Sequence, residues 1–202
     1  MKHVWIIVLL FCLPLSAQTL FFGHSFTFFA PFSQSGYFTD FTVSGWPALT
    51  CAEMAPQLQR VVGNGQYKTV VLTEGTNDIE TGVSPQAFAA CMLAQVLWLQ
   101  QQGIAVFVTN VSPWNPNPLG CNRYPKWPIP QIGAYNAVFP TLGATVIDEW
   151  TPATLTMPAQ AYGWGKPYLF IGACGIHPDQ AQKWPSSAWQ AWLKTIANAL
   201  QE

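Results

Sequence analysis

The feature that most constrains this chain is a set of short apolar runs that lack polar alternation. Leu20-Phe21-Phe22, Phe41-Thr42-Val43-Ser44 and Thr69-Val70-Val71-Leu72-Thr73 are three of them, and they run into Gly23, Gly45 and Gly75 respectively. Ile104 to Val111 and Ala144 to Ile147 are two more. A strand with one face in water alternates apolar and polar residues, whereas a strand apolar throughout is covered on both faces. Stretches with helical spacing lie between the runs. Ala48 to Val62 carries Leu49, Ala52, Met54, Leu58 and Val61. Ser84-Pro85 suits a helix start, with Ser as cap and Pro in the first position. The pattern continues through Phe88, Met92, Leu93, Val96 and Leu99 until Gly103 stops it. Gln131 to Phe139 is a weaker helical stretch, and Trp184 to Leu200 closes the chain with Trp189, Trp192, Leu193, Ile196 and Leu200 on one side. Strands alternating with helices predict an α/β fold around a parallel sheet.

Residues 1–17 stand apart from this pattern. Lys2 and His3 make a polar start, an apolar run extends from Val4 to Leu15, and Leu15-Ser16-Ala17 places a small residue before Gln18. These are the parts of a secretory signal peptide cut after Ala17. The expectation is a secreted or periplasmic protein whose single domain spans residues 18–202. The run is shorter than the roughly 20 residues needed to span a bilayer, and no later run is longer, so no stable membrane span is expected after cleavage. Only 8% of residues are charged and the formal net charge is −1, which excludes the basic footprint of a nucleic-acid binder. Cys12 leaves with the leader, and Cys51, Cys91, Cys121 and Cys174 remain. An even count in an exported chain favours disulfides, and the spacing does not choose among the possible pairings. No C-x-x-C occurs, so no metal site is expected. Oligomeric state is not legible.

Two stretches fit no period. Ser112 to Pro130 is rich in proline and contains Trp114, Cys121, Tyr124 and Trp127, and Thr151 to Lys166 contains Trp164. Loops of such length usually serve a function or are disordered. Their tryptophans have the geometry to stack on a sugar ring or line an acyl pocket, and equally to cover the core.

The residues with chemistry lie just beyond the apolar runs. Gly23-His24-Ser25 follows the first, Ser44-Gly45 ends the second, and Gly75-Thr76-Asn77-Asp78 follows the third. Gly175-Ile176-His177-Pro178 precedes the last helix. Ligands of an open parallel sheet bind beyond the carboxyl ends of its strands, so the first three segments should meet at one edge, within reach of His177. A serine hydroxyl is a weak nucleophile until a base takes its proton. A glycine amide and an asparagine side chain can both donate to a developing oxyanion. With His3 in the leader, only His24 and His177 can supply an imidazole. Neighbouring side chains on an extended backbone point to opposite faces, which disfavours His24 as the base for Ser25 and leaves His177. Asp78 is expected to cap its own turn.

This ordered set of four blocks resembles the SGNH hydrolases, also called the GDSL esterase/lipase family. The resemblance implies a flavodoxin-like three-layer α/β/α sandwich with a five-stranded parallel sheet. It implies Ser25 as nucleophile and His177 as general base. It also implies an oxyanion hole made of the N–H groups of Ser25 and Gly45 and the side chain of Asn77. No cofactor is implied, and the substrate would be a small-molecule or polysaccharide ester. Two positions depart from the family pattern. His24 stands where the first block has an aspartate that supports the turn, and it becomes a candidate for substrate contact together with Trp114 and Trp127. Cys174 stands where the triad aspartate is expected, three residues before His177. A thiol cannot hold an imidazole tautomer as a carboxylate does. Three explanations remain open: a Ser–His dyad oriented by a backbone carbonyl, a carboxylate from elsewhere (Glu74 or Asp179), or a degenerate site. Cys121 is a candidate partner for Cys174, a bond that would fix the loop carrying His177. The readings carried forward are an esterase, such as a carbohydrate deacetylase or a short-chain lipase/esterase, a non-catalytic carbohydrate-binding protein on the same fold, and an acyltransferase.

Overall fold

A computed structural model describes residues 18–111, 129–148 and 187–201. The elements run β1 (Gln18–Gly23), α1 (Ser25–Phe29), α2 (Phe32–Ser35), β2 (Phe41–Gly45), α3 (Cys51–Gly63), β3 (Tyr67–Thr73), α4 (Thr76–Thr81), α5 (Pro85–Gln101), β4 (Ala105–Thr109), α6 (Ile129–Asn136), a 3-10 turn (Phe139–Thr141), β5 (Thr145–Ile147) and α7 (Ser187–Ala199). The five apolar runs are five parallel strands in the order β2-β1-β3-β4-β5. The chain moves one way from β1 to β2 and the other way from β3 onward. With right-handed crossovers that reversal puts helices on both faces of the sheet, which is why the strands are apolar throughout.

Each face has its own packing. On one, Phe21 of β1 stacks on Phe32 of α2 with centroids 4.3 Å apart, and Trp192 of α7 lies 5.9 Å from Phe32 and 6.0 Å from Phe26. On the other, Phe88 of α5 meets Tyr135 of α6 at 4.8 Å and Phe139 at 5.7 Å. The helix starts follow from local chemistry. The Thr50 N–H donates to the Glu53 carboxylate at 2.8 Å, which completes a capping box for α3. At α5, Ser84 Oγ accepts from the Ala87 N–H at 3.1 Å, with Pro85 in the first position.

Several boundaries differ from the sequence expectation. The helix expected from Ala48 starts at Cys51, because Ala48 adopts φ 66° and Thr50 is an extended cap. The helix expected from Gln131 starts at Ile129, so the last two residues of the expected loop are helical, and its tail at Phe139 is a 3-10 turn. The short helices α1, α2 and α4 were not legible, since four to six residues are too few to display a helical period. Residues 1–17, 112–128 and 149–186 lie outside the described residues, and with them the expected leader and most of both irregular stretches.

Two glycines are set by close approach rather than by turn geometry. In register, Gly23 pairs with Gly45 on one side and with Thr73 on the other. A Cβ on Gly23 would lie 2.3 Å from the Thr73 backbone oxygen, and one on Gly45 would lie 2.4 Å from the backbone N and Cα of Phe28. Neither obstacle is the flexible end of a side chain. Gly63, at the end of α3, has open space instead. Gly23→Ala should therefore cost about 1–3 kcal/mol, whereas Gly63→Ala should be neutral or stabilising by up to about 1 kcal/mol. Urea unfolding should show the midpoint falling for the first variant only, with unchanged slope.

Candidate active site

Ser25, Gly45 and Asn77 arrive at one edge of the sheet by three different routes. Ser25 opens α1 two residues after the end of β1, Gly45 is the last residue of β2, and Asn77 lies in the first turn of α4 beyond β3. These are the three adjacent strands of the β2-β1-β3 half, and neighbouring strands lie about 4.8 Å apart. The reversal in strand order falls between β1 and β3, so the segments flank a topological switch point. The Trp46 N–H donates to the Gly23 carbonyl at 2.8 Å and closes the β1–β2 register. The Gly45 N–H is not spent on that bond. Ser25 and Asn77 are both buried.

His24 holds the turn that follows β1. It is the cap of α1, and its Nδ1 accepts from the Phe26 N–H at 3.3 Å. Its own N–H donates to the Thr73 carbonyl at 3.1 Å, so the turn is pinned to β3 as well. A neutral imidazole that accepts at Nδ1 carries its proton on Nε2, and this assignment follows from the hydrogen bond. Neither nitrogen then offers a lone pair for taking the serine proton. The ring is buried and packs edge-on against Phe26 at 5.3 Å.

Asn77 and Asp78 are tied to the start of α3. Asn77 Nδ2 donates to the Leu49 carbonyl at 2.8 Å, and the Cys51 N–H donates to the Asp78 carboxylate at 3.0 and 3.2 Å. Asp78 thus caps α3, 27 residues away, and its carboxylate also accepts from its own backbone N–H. The capping of α3 was not expected from the sequence: the first amides of α3 lack intrahelical acceptors and attract an anion. A disulfide joins Cys51 to Cys91 of α5. Gln95, one turn further along α5, donates through Nε2 to Glu74 Oε2 at 3.1 Å and to Cys51 Sγ at 3.0 Å.

Glu74 is 1% exposed, and its Oε1 is buried without a hydrogen-bond partner. Burial first, and the nearby Asp78 charge second, raise its pKa well above the usual carboxylate value. Burial thus works against the charge with which a triad acid steadies an imidazolium. Burial also raises Asp78 to about 6, partly offset by its bond from the Cys51 backbone. Glu74, His24, Thr76 and Thr109 line one small recess beneath the strand ends.

His177, Cys174, Cys121, Asp179, Trp114, Trp127 and Trp164 lie outside the described residues. The Cys51–Cys91 bond settles two of the five cysteines; Cys12, Cys121 and Cys174 lie outside the described residues. Leu49 was read from the sequence only as part of a helical stripe, and Gln95 was not singled out. A backbone carbonyl has no sequence signature, but Gln95 had one: it is a polar residue on the buried stripe of Phe88, Met92, Val96 and Leu99. Among the described residues, no group of three or more His, Cys, Asp or Glu could hold a metal ion.

Solved structures share this architecture over nearly the whole chain. A lipase/acylhydrolase from Enterococcus faecalis aligns with TM-score 0.69 and 15% identity, covering 92% of this chain and 95% of that one. A GDSL-like lipase from Bacteroides thetaiotaomicron aligns with TM-score 0.66 and 16% identity, covering 91% and 85%. A member of the lipolytic protein G-D-S-L family from Veillonella parvula aligns with TM-score 0.64 and 15% identity, covering 92% and 97%. At these identities the likeness establishes the fold, which is the α/β/α fold of GDSL-type proteins. No protein-family model matches the chain, and no curated protein matches it.

The raised Asp78 pKa has a definite sign. Its folded value of about 6 lies above the ordinary 3.8, so the folded chain binds this proton more tightly than the unfolded chain. The stability it contributes is complete below about pH 4 and is lost as pH rises through 6. Asp78→Asn should remove that loss. Between pH 4 and 7, the wild type should lose on the order of 2 kcal/mol relative to the variant, measured by urea unfolding at each pH.

Proposed function

We propose that this chain is a secreted serine ester hydrolase in which Ser25 is the nucleophile and His177 the general base. The observation that carries the reading is the meeting of Ser25, Gly45 and Asn77 at the ends of three adjacent parallel strands. Ser25 attacks the ester carbonyl while His177 takes its proton. The tetrahedral oxyanion is held by the N–H groups of Ser25 and Gly45 and by the side-chain amide of Asn77. The first amides of a helix have no intrahelical acceptor, which suits Ser25 at the start of α1 to this task. Asn77 spends one amide proton on Leu49 and has a second to give. His177 then protonates the leaving alcohol, and water cleaves the acyl-enzyme.

Two observations favour a Ser–His dyad involving His177. Nδ1 of His24 is engaged by the Phe26 N–H, which removes that ring as a base. Burial raises the pKa of Glu74 well above the usual carboxylate value, which disfavours it as the missing acid. The solved relatives described as lipases and acylhydrolases agree with ester chemistry. Small acyl esters, including acetyl groups on a polysaccharide, are the favoured substrates. Export is supported by the leader-like residues 1–17 and by the Cys51–Cys91 bond, which suits an oxidising compartment. No helix among the described residues is long and apolar enough to cross a membrane.

Hydrolysis of p-nitrophenyl acetate by residues 18–202 tests the reading. Ser25→Ala and His177→Ala should each lower kcat by about a thousandfold or more, and Asn77→Ala by about 10²–10³-fold, with circular dichroism unchanged. Equal rates from wild type and Ser25→Ala would end the proposal. Acyl esters of increasing length should be turned over progressively more slowly than acetate.

A further inference from the structure

The Cys51–Cys91 bond joins two elements whose other attachments converge on Asn77. Cys51 is the first residue of α3 and is completely buried. Its partner sits in α5, 40 residues away in sequence, with the two Cα atoms 6.2 Å apart. Gln95 reinforces the same junction, donating to the Cys51 carbonyl at 3.3 Å and to its Sγ at 3.0 Å. The same Nε2, which has two protons to share among its acceptors, also lies 3.1 Å from Oε2 of Glu74, the residue just before the cap of α4. Helix α5 therefore grips both sides of the Asn77 turn.

The segment from Leu49 to Cys51 is where this grip is felt. The Leu49 carbonyl accepts from Asn77 Nδ2 at 2.8 Å, and two residues on the Cys51 N–H donates to Asp78. A side-chain amide is planar, so fixing one N–H direction fixes the other. The direction of the second Asn77 proton is thus set by the position of one main-chain carbonyl. The chain just before that carbonyl is closed by one long backbone bond, from the Leu49 N–H to the Trp46 carbonyl at 3.5 Å. Pro47 and Ala48 are exposed, and Ala48 sits at φ 66°, a region unfavourable to a residue with a Cβ.

We propose that the Cys51–Cys91 disulfide is a positioning device for Asn77: it clamps residues 49–51 to α5 and so fixes the carbonyl that aims the Asn77 amide. This rests on the assignment of Asn77 as an oxyanion donor. A disulfide with a purely structural role acts through the unfolded chain and leaves turnover intact well below the unfolding temperature. A positioning role changes turnover in the folded protein. The donor acts mainly on the transition state, so its misalignment lowers kcat and leaves KM nearly unmoved.

The experiment is a double-mutant cycle on p-nitrophenyl acetate at low temperature. It compares wild type, Cys51→Ala/Cys91→Ala, Asn77→Ala and the triple variant, with Ser25→Ala as the reference for background hydrolysis. Opening the disulfide should lower kcat roughly ten- to a hundredfold, with KM within about twofold. In the Asn77→Ala background the same change should cost less than about threefold, because the group it positions is gone. An unchanged kcat, or the same loss in both backgrounds, overturns the proposal. A wild-type rate equal to that of Ser25→Ala instead overturns the hydrolase reading, and this inference with it. One measurement needs no folded variant. In the oxidised wild type, the Cys51 amide should exchange with solvent only on global unfolding, and exchange through local opening overturns the clamp.

Discussion

Three parallel strand ends are packed against one another so closely that two positions admit no side chain. Gly23 lies under the Thr73 carbonyl, and Gly45 lies against the backbone of Phe28. The second contact presses α1, and with it Ser25, onto the end of β2. The first brings β1 against β3, from which the turn bearing Asn77 departs. The site is therefore a property of backbone crowding before it is one of side chains. A sheet that reverses its winding at β1 makes such crowding possible, because the two crossovers leave opposite faces and open a crevice between them.

Much of this was legible from the apolar runs. Their lack of alternation pointed to a sheet covered on both faces, and the glycines that close them mark where the strands end. Long helices such as α5 could be read at both ends from Ser84, Pro85 and Gly103. Short helices could not, because α1 and α4 owe their existence to the turn that begins them. The elements that carry Ser25 and Asn77 were thus the ones with too few residues to show a period.

Side-chain roles were less legible than positions. The site residues Ser25, Gly45 and Asn77 could be placed from their order relative to the strands. The bond between Asp78 and the Cys51 amide on another helix could not, since long-range capping leaves no local pattern. The cysteine pairing was likewise open until α3 and α5 were set side by side. His24 shows a different limit. Residue type alone made it a candidate for substrate contact, yet its Nδ1 lone pair accepts the Phe26 N–H as a carboxylate oxygen would. The exchange keeps the turn, and it also settles which tautomer the ring holds.

The scarcity of charge has a consequence that reaches the surface. The chain carries nine acidic and eight basic side chains for a formal charge of −1, and burial raises the pKa of one of those acids, Glu74, well above the usual carboxylate value. A molecule with so little field around it does not draw charged ligands from a distance, and dissolved salt has little to screen. Its encounters with ligands are governed by shape and desolvation, so its kinetics of association should be nearly the same in fresh water and in brine.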